Sequence, residues 1–266
     1  MQEIHATAIV HPQAHLGVDV KIGPYCIIGP NVTLGDGVYL HSHVVIDNVI
    51  CEIGEKTELF PFVSINKTQD LKYQGEPSQV IIGKQCVIRE YATIQPGTAG
   101  DKMKTVIGDN CLLMACTHVA HDCVLGNFVQ MANHATLAGH VSIGDYAIIG
   151  GLAAVHQFVT IGPYAIVGGM SGVEADVIPY GNVKGDRAYL NGLNLIGLKR
   201  RGFTREQVDT LRSVYDALFQ EGGPSTFSER LTDLQQKHQG DEVVSFLLDF
   251  AASQDRRALM RPKTLT

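Results

Sequence analysis

Aliphatic residues return at every sixth position along most of this chain. The series begins Ile4, Val10, Leu16, Ile22, Ile28, Leu34, Leu40 and Ile46. It resumes at Ile53, Leu59 and Ile65, and again at Ile82, Ile88 and Ile94. Its longest run is Ile107, Leu113, Val119, Leu125, Met131, Leu137, Ile143, Ile149, Val155, Ile161, Val167 and Val173. Glycine often follows the aliphatic residue, as at Gly17, Gly23, Gly108, Gly126, Gly144 and Gly150. A period of six fits neither an α-helix, with about 3.6 residues per turn, nor a simple array of hairpins. It fits short flat strands separated by tight corners. Each strand sends one aliphatic side chain inward, and Gly or Asn is expected at the strained corner position. Composition suits such a core of small and aliphatic side chains: 266 residues include 28 glycines, no tryptophan and only 7% aromatics, with 45% hydrophobic overall. An ordinary β-solenoid or a sandwich is the competing architecture, and the unbroken final run weighs against it.

A repeat of this kind defines the fold class before any single motif does. The pattern resembles the hexapeptide-repeat proteins. That resemblance implies a mainly β chain, a left-handed parallel β-helix in which three hexads close one triangular coil of eighteen residues. The handedness departs from the usual right-handed crossover and comes from the resemblance alone. Three breaks interrupt the period. Asp47–Cys51 holds one extra residue, Asn66–Val80 is a polar excursion, and Pro96–Val106 is a second one. Loops standing out from a regular scaffold are where specificity usually resides. Beyond Pro179 the character changes. Thr204-Arg-Glu-Gln207 is a capping box, and Val208, Leu211, Val214, Tyr215 and Leu218 follow helical spacing. Gly222-Gly223-Pro224 breaks this helix, and further amphipathic segments cover about 227–238 and 241–253. The expected division is a β-helix domain over residues 1–186 and a C-terminal α-helical domain over 187–266, placed to cap the solenoid's open end.

A net charge of −6 argues against nucleic acid as the main partner. The start, MQEIHATAIV, lacks a basic region followed by a long apolar stretch, and no run reaches the ~18 apolar residues of a membrane span. The six cysteines are sparse and form no CxxC pair, which suits reduced thiols in a cytoplasmic protein.

Five of the eleven histidines fall between Thr117 and Gln157. In an eighteen-residue coil, residues eighteen apart stack at the strand spacing of about 4.8 Å. His121 then lies beneath Gly139, which lies beneath Gln157, and Asp122 lies beneath His140. His118 sits one corner step away. A neutral imidazole is suited to take a proton from a hydroxyl. Asp122 could orient it, provided that the corner brings the two together. Gly139 has no side chain, so its N–H can approach an oxyanion.

The segment Thr117-His-Val-Ala-His-Asp-Cys123 resembles the signature of the UDP-N-acetylglucosamine O-acyltransferases. Gln69-Asp-Leu-Lys-Tyr73, Leu137-Ala-Gly-His-Val141, Ala154-Val-His-Gln-Phe158 and Gly197-Leu-Lys-Arg-Arg-Gly-Phe203 match further family motifs in order. The resemblance implies transfer of a 3-hydroxyacyl chain, carried on the phosphopantetheine of acyl carrier protein, to the sugar 3-hydroxyl of UDP-N-acetylglucosamine. That is the first step of lipid A biosynthesis, and it uses no cofactor and no metal. By the same resemblance His121 is the general base, Asp122 its partner and Gly139 the oxyanion donor. His118 and His140 line the sugar and acyl site, and His156 and Gln157 lie near the substrate. Asp70 and Lys72 are sugar and phosphate contacts supplied by a neighbouring subunit of a homotrimer. Asn194, Arg200 and Arg201 belong to the nucleotide end, and Gly169 helps to set acyl length. Arginine suits a diphosphate because its planar fork makes paired, charge-assisted hydrogen bonds. Lys199, Arg200, Arg201 and Arg205 also make a local basic cluster fit to attract an acidic carrier protein.

The chain departs from the family pattern at three places. Ile196 replaces a glutamate, Gln95-Pro-Gly-Thr98 replaces His-Arg-Gly-Thr, and Asn66-Lys-Thr replaces a Gly-Glu-Val-type lead. They leave two acceptors open, a 3-hydroxyl or a 3-amine. The related N-acyltransferases carry an extra domain before their repeats, whereas this chain repeats from Ile4. A trimeric zinc hydro-lyase of the γ-carbonic anhydrase type is the rival from another class, because it gathers three histidines around its metal.

Overall fold

The structure, a computed structural model, describes residues 2–220, 222–253 and 257–263. Among the described residues, strands mostly two residues long wind into three sheets of 11, 9 and 8 strands, parallel throughout except for the last strand of the longest. Neighbouring strands within a sheet come from successive coils: His118 pairs with Thr136, Leu113 with Met131 and Leu125 with Ile143. This is a parallel β-helix with the strand pattern of the left-handed hexapeptide solenoid. From Ile22 onward the six-residue series is buried, and Leu40, Leu59, Ile88, Leu113 and Leu137 are fully enclosed. Before Ile22, Ile4 is 45% exposed and Val10 and Leu16 are only partly buried, since no described coil lies beneath the first one.

Each break in the period appears as a shift in register. Thr33 pairs with Glu52, nineteen residues on, so the extra residue near Asp47 is absorbed at a corner. Ser64 pairs with Thr93 and Val87 with Leu112, offsets of 29 and 25 that place both polar excursions outside the coil.

The corners correct one expectation. Left-handed backbone is held mainly by side-chain-bearing residues, among them Tyr25 (φ 60°), Asp122 (59°), His140 (66°), Tyr146 (61°) and Phe158 (65°). Such a conformation costs a non-glycine residue about 1–2 kcal/mol. Stacking between coils offsets it, with ring centres 4.7 Å apart for Phe128 and Tyr146 and 4.4 Å for His140 and Phe158. The recurrent glycines serve close approach instead of positive φ. A Cβ on Gly108 would stand 2.6 Å from the carbonyl carbon of Gly126, and one on Gly150 would stand 2.5 Å from the nitrogen of Gly169.

After the last coil the chain makes a hairpin that the sequence did not signal. Strand Gly181–Lys184 adds in parallel to Ile166–Val167, and strand Tyr189–Leu193 pairs with it antiparallel. The longest sheet thus ends on an antiparallel strand ahead of the helices, bridged at Leu190 by Pro262. Among the described residues four helices follow: α1 (Leu195–Arg200), α2 (Arg205–Leu218), α3 (Phe227–Lys237) and α4 (Glu242–Ala252). Reciprocal capping boxes start α2 at Thr204–Gln207 and α3 at Thr226–Glu229. The short α1 was not foreseen; Asn194 caps it. One apolar core continues from the solenoid (Val173, Val177) into the helices (Leu198, Leu211, Leu247). The six cysteines are unpaired, five of them buried. Burial pushes the Cys123 thiol up to about 12. Among the described residues, no helix is long and apolar enough to cross a membrane.

Candidate active site

His121 and Asp122 occupy a corner of the prism, and the left-handed turn at Asp122 (φ 59°) swings its carboxylate back toward the preceding ring. His121 Nδ1 lies 3.0 Å from Asp122 Oδ2. Because a carboxylate can only accept, Nδ1 carries the hydrogen and Nε2 is left with a lone pair or a transferable proton. The ring lies against the face of Gly139. A Cβ there would fall 2.4 Å from His121 Cε1 and 2.6 Å from Nε2. The Gly139 N–H makes no hydrogen bond to another described residue. A base, its anchor and a free backbone donor therefore converge at one spot.

The second excursion holds the anchor. Asp122 is fully buried. Its Oδ2 accepts from the Thr98 hydroxyl at 2.7 Å, both of its oxygens accept from the Thr98 N–H, and Oδ1 accepts from the Lys102 N–H at 3.1 Å. Burial alone would raise the Asp122 pKa. The hydrogen bonds from His121 and from the Thr98 hydroxyl and N–H outweigh it and hold the carboxyl below its ordinary range. Gly97 lets this loop close, since a Cβ there would stand 2.0 Å from the Lys104 nitrogen. Thr98 and Lys102 escaped the sequence reading. The run Gln95-Pro-Gly-Thr98 was visible only as a departure from a family pattern.

A groove of about 600 Å³ opens over this corner. His118, His121, Gly139, His140 and Gln157 line it from the coils, and Asp70 and Lys72 line it from the first excursion. Asp70 and Lys72 thus sit over their own chain's groove, where the sequence reading assigned them to a neighbour's. Gln95 ties that excursion down by accepting from the Gln69 N–H at 3.3 Å. His118 Nδ1 meets the Thr93 hydroxyl at 2.7 Å. Burial, and then the charge of His121, hold the His118 pKa below its ordinary value. His156 is exposed and does not line the groove; its Nδ1 lies 2.7 Å from the Arg257 guanidinium.

Other expected residues stand elsewhere in the same chain. Asn194 spends its side chain on structure: Oδ1 accepts from the Gly197 N–H and Nδ2 donates to the Tyr164 carbonyl. Arg201 lies over the Tyr146 ring, 4.2 Å from its centre, at a second corner of the prism. Neighbouring Arg200 is exposed, as is Ile196 at 67%. Gly169 precedes the left-handed corner residue Met170 at the third corner.

His121, Asp122 and His140 offer donor atoms within 4.8 Å of one another, close enough to consider a metal ion. The donor set does not fit one. Hydrogen bonds from Thr98, Lys102 and His121 already occupy the Asp122 oxygens. The His140 Nδ1 is engaged by Asp101 at 2.7 Å.

Comparison with known proteins places the chain in a family. Residues 176–260 match the family described as UDP-N-acetylglucosamine O-acyltransferase, domain 2, and residues 13–48 and 104–139 match the bacterial transferase hexapeptide repeat. The chain is 52% identical over 222 residues to an acyl-[acyl-carrier-protein]–UDP-N-acetylglucosamine O-acyltransferase of Thermodesulfovibrio yellowstonii, covering 83% of this chain and 86% of that one. It is 48% identical over 261 residues to the Caulobacter vibrioides protein of the same name, covering 98% of each. A crystal structure of a UDP-N-acetylglucosamine acyltransferase superposes with a TM-score of 0.94 at 40% identity, covering 98% of this chain and all of the other. On repeat, excursions and C-terminal helices together, this chain belongs to the UDP-N-acetylglucosamine O-acyltransferase family.

Proposed function

We propose that this chain transfers a 3-hydroxyacyl group from acyl carrier protein to the 3-hydroxyl of UDP-N-acetylglucosamine, opening lipid A biosynthesis. His121 Nε2 takes the proton from the sugar hydroxyl as its oxygen attacks the thioester carbonyl. The Gly139 N–H receives the oxyanion of the tetrahedral intermediate. Collapse breaks the carbon–sulfur bond, and the imidazolium returns its proton to the departing phosphopantetheine thiolate. Asp122 steadies the imidazolium between these two transfers. No metal or other cofactor enters this sequence. The observation that carries the reading is the contact of the His121 ring with the bare face of Gly139 while Asp122 holds its other nitrogen.

Asp70, Lys72, His118, His140, His156 and Gln157 bind the sugar and acyl portions. Asn194, Arg200 and Arg201 serve the nucleotide end, and Gly169 leaves room for acyl chain. The β-helix of residues 1–186 carries the chemistry, while residues 187–266 close its end and supply basic charge for the carrier protein. The active unit is a homotrimer in the cytoplasm. Two observations support the trimer. Arg201 and Gly169 lie at corners away from the His121 groove, which suits a site completed by the same residues of a second copy. One edge also exposes Tyr25, Phe62, Tyr91, Leu152 and Met170, an apolar row that suits a protein partner.

The test is turnover by purified protein with a panel of acyl carrier protein thioesters, offered UDP-N-acetylglucosamine or its 3-amino analogue. Transfer to the hydroxyl sugar is expected. Transfer to the amine alone would correct the acceptor, and no transfer to either would overturn the reading. Sedimentation reports the trimer.

A further inference from the structure

We propose that Asp101 is a positioning residue that fixes the tautomer of His140, so that the second excursion sets the hydrogen bonding of two groove histidines. The inference rests on the acyl transfer argued above. Asp101 Oδ2 lies 2.7 Å from His140 Nδ1, and the two side chains are only 16% and 12% exposed. The Asp122 carboxylate is 3.9 Å from the same nitrogen, beyond hydrogen-bond range. Asp101 therefore decides which ring nitrogen bears the hydrogen. As a carboxylate it can only accept, so Nδ1 donates to it and Nε2 is kept as the atom that His140 can offer a substrate oxygen.

The surroundings leave the ring little other freedom. It packs edge-on against His121 with centres 4.9 Å apart, and it stacks flat on Phe158 at 4.4 Å with planes 7° apart. Orientation is settled by packing; the tautomer is settled by Asp101. Placement of Asp101 follows from the same loop that grips Asp122. Thr98 binds the Asp122 carboxylate through its N–H and hydroxyl, while its carbonyl accepts from the Asp101 and Met103 N–H groups. The turn that closes on Thr98 thus delivers Asp101 to the coil above. Lys102 reinforces it, with Nζ 3.1 Å from the Asp122 carbonyl and 3.6 Å from Asp101 Oδ2. The result is two His–carboxylate pairs on adjacent coils, His121 with Asp122 and His140 with Asp101. The coils supply both histidines, whereas the second carboxylate comes from the excursion.

The experiment is a mutant cycle on the full chain, read by acyl-transfer kinetics and by imidazole ¹⁵N resonances of His140. Asp101→Ala is expected to lower kcat/KM roughly tenfold, mainly through KM for the sugar nucleotide. In a His140→Ala background the same change is expected to cost nothing further. Asp101→Asn still accepts from Nδ1–H and should restore most of the loss. In the ¹⁵N spectra, wild type and Asp101→Asn should show Nδ1 protonated, and Asp101→Ala a mixture of tautomers. Equal loss with and without His140, or an unchanged His140 signature in Asp101→Ala, overturns the proposal. Should wild type transfer no acyl group, the functional reading falls, and the ¹⁵N arm still decides the tautomer claim.

Discussion

The regular coils from Ile107 to Val173 and the excursion from Pro96 to Val106 both shape His121, by different physical means. The coils act through register. Three hydrogen-bonded sheets hold Gly139 one coil above His121, and the missing Cβ gives the ring its place. The excursion acts through polar contact. It breaks the period, shifts the pairing of Val87 to Leu112, and spends its freed backbone on the Asp122 carboxylate. A lattice is good at fixing where an atom lies, because every coil repeats the constraint. A loop is good at fixing charge and hydrogen-bond direction, because its N–H groups are not committed to a sheet. The two contributions should therefore fail differently when they are damaged.

The largest effect is expected from removing the group on which both regions act. His121→Ala should lower kcat by about 10²–10⁴ while leaving the thermal midpoint near that of wild type. Turnover at the wild-type level would refute the assignment of the base. Next comes Gly139→Ala. The new methyl displaces a side chain, the His121 ring, so the fold should survive while kcat falls by about 10²–10³. Gly108→Ala is the matched change on the lattice. Its Cβ would meet backbone, 2.6 Å from the Gly126 carbonyl carbon. It should cost about 1–3 kcal/mol of stability, with activity per folded molecule preserved. If Gly108→Ala lost activity and Gly139→Ala lost stability, the separation of roles between the two positions would collapse.

A change in the excursion should give a smaller, mixed effect. Thr98→Val keeps the shape and the N–H but removes the hydroxyl that donates to Asp122 Oδ2 at 2.7 Å. Leaving a buried carboxylate short of one donor costs about 1–3 kcal/mol. Denaturant midpoints should report that loss, together with a several-fold fall in kcat as the His121–Asp122 pair loosens.

This difference also explains what could be read from the sequence. Gly139 above His121 follows from counting eighteen residues, because a solenoid turns sequence distance into spatial position. The glycines were legible as a pattern and were given the wrong physical cause. They permit close approach between coils, while stacked residues such as Tyr146, Phe158 and His140 hold the left-handed corners. The helices α2 to α4 were legible through capping and apolar spacing. The hairpin Gly181–Leu193 was not, since its strands lack the hexad and pair antiparallel at the end of a parallel sheet. Thr98, Asp101 and Lys102 were illegible because an excursion has no period: its register with Asp122 and His140 exists only once the loop has folded. Arg201 was legible as a basic residue, yet its place on Tyr146 at another corner depends on how the C-terminal segment packs.

The smallest effect is a division of acid sensitivity between the two regions. His118 belongs to the lattice, paired in register with Thr93 and Thr136, and burial lowers its pKa. The unfolded chain takes up a proton at His118 as pH falls through about 6.5, while the folded chain resists until its own lower pKa. Stability must decline across that window. Asp122 titrates lower still. Its folded pKa is depressed below the ordinary value of about 3.9, so its contribution is intact above that pH and is lost as pH falls further. Urea midpoints at about pH 7, 5.5, 4 and 3 should therefore fall in two separate stages. His118→Gln should flatten the first stage and leave the second. Thr98→Val should weaken the second, because the excursion sustains the Asp122 shift, and leave the first. A variant in the excursion that changed the upper stage would show that loop and lattice are coupled through the corner at His121, and the two could no longer be treated as independent supports of one imidazole.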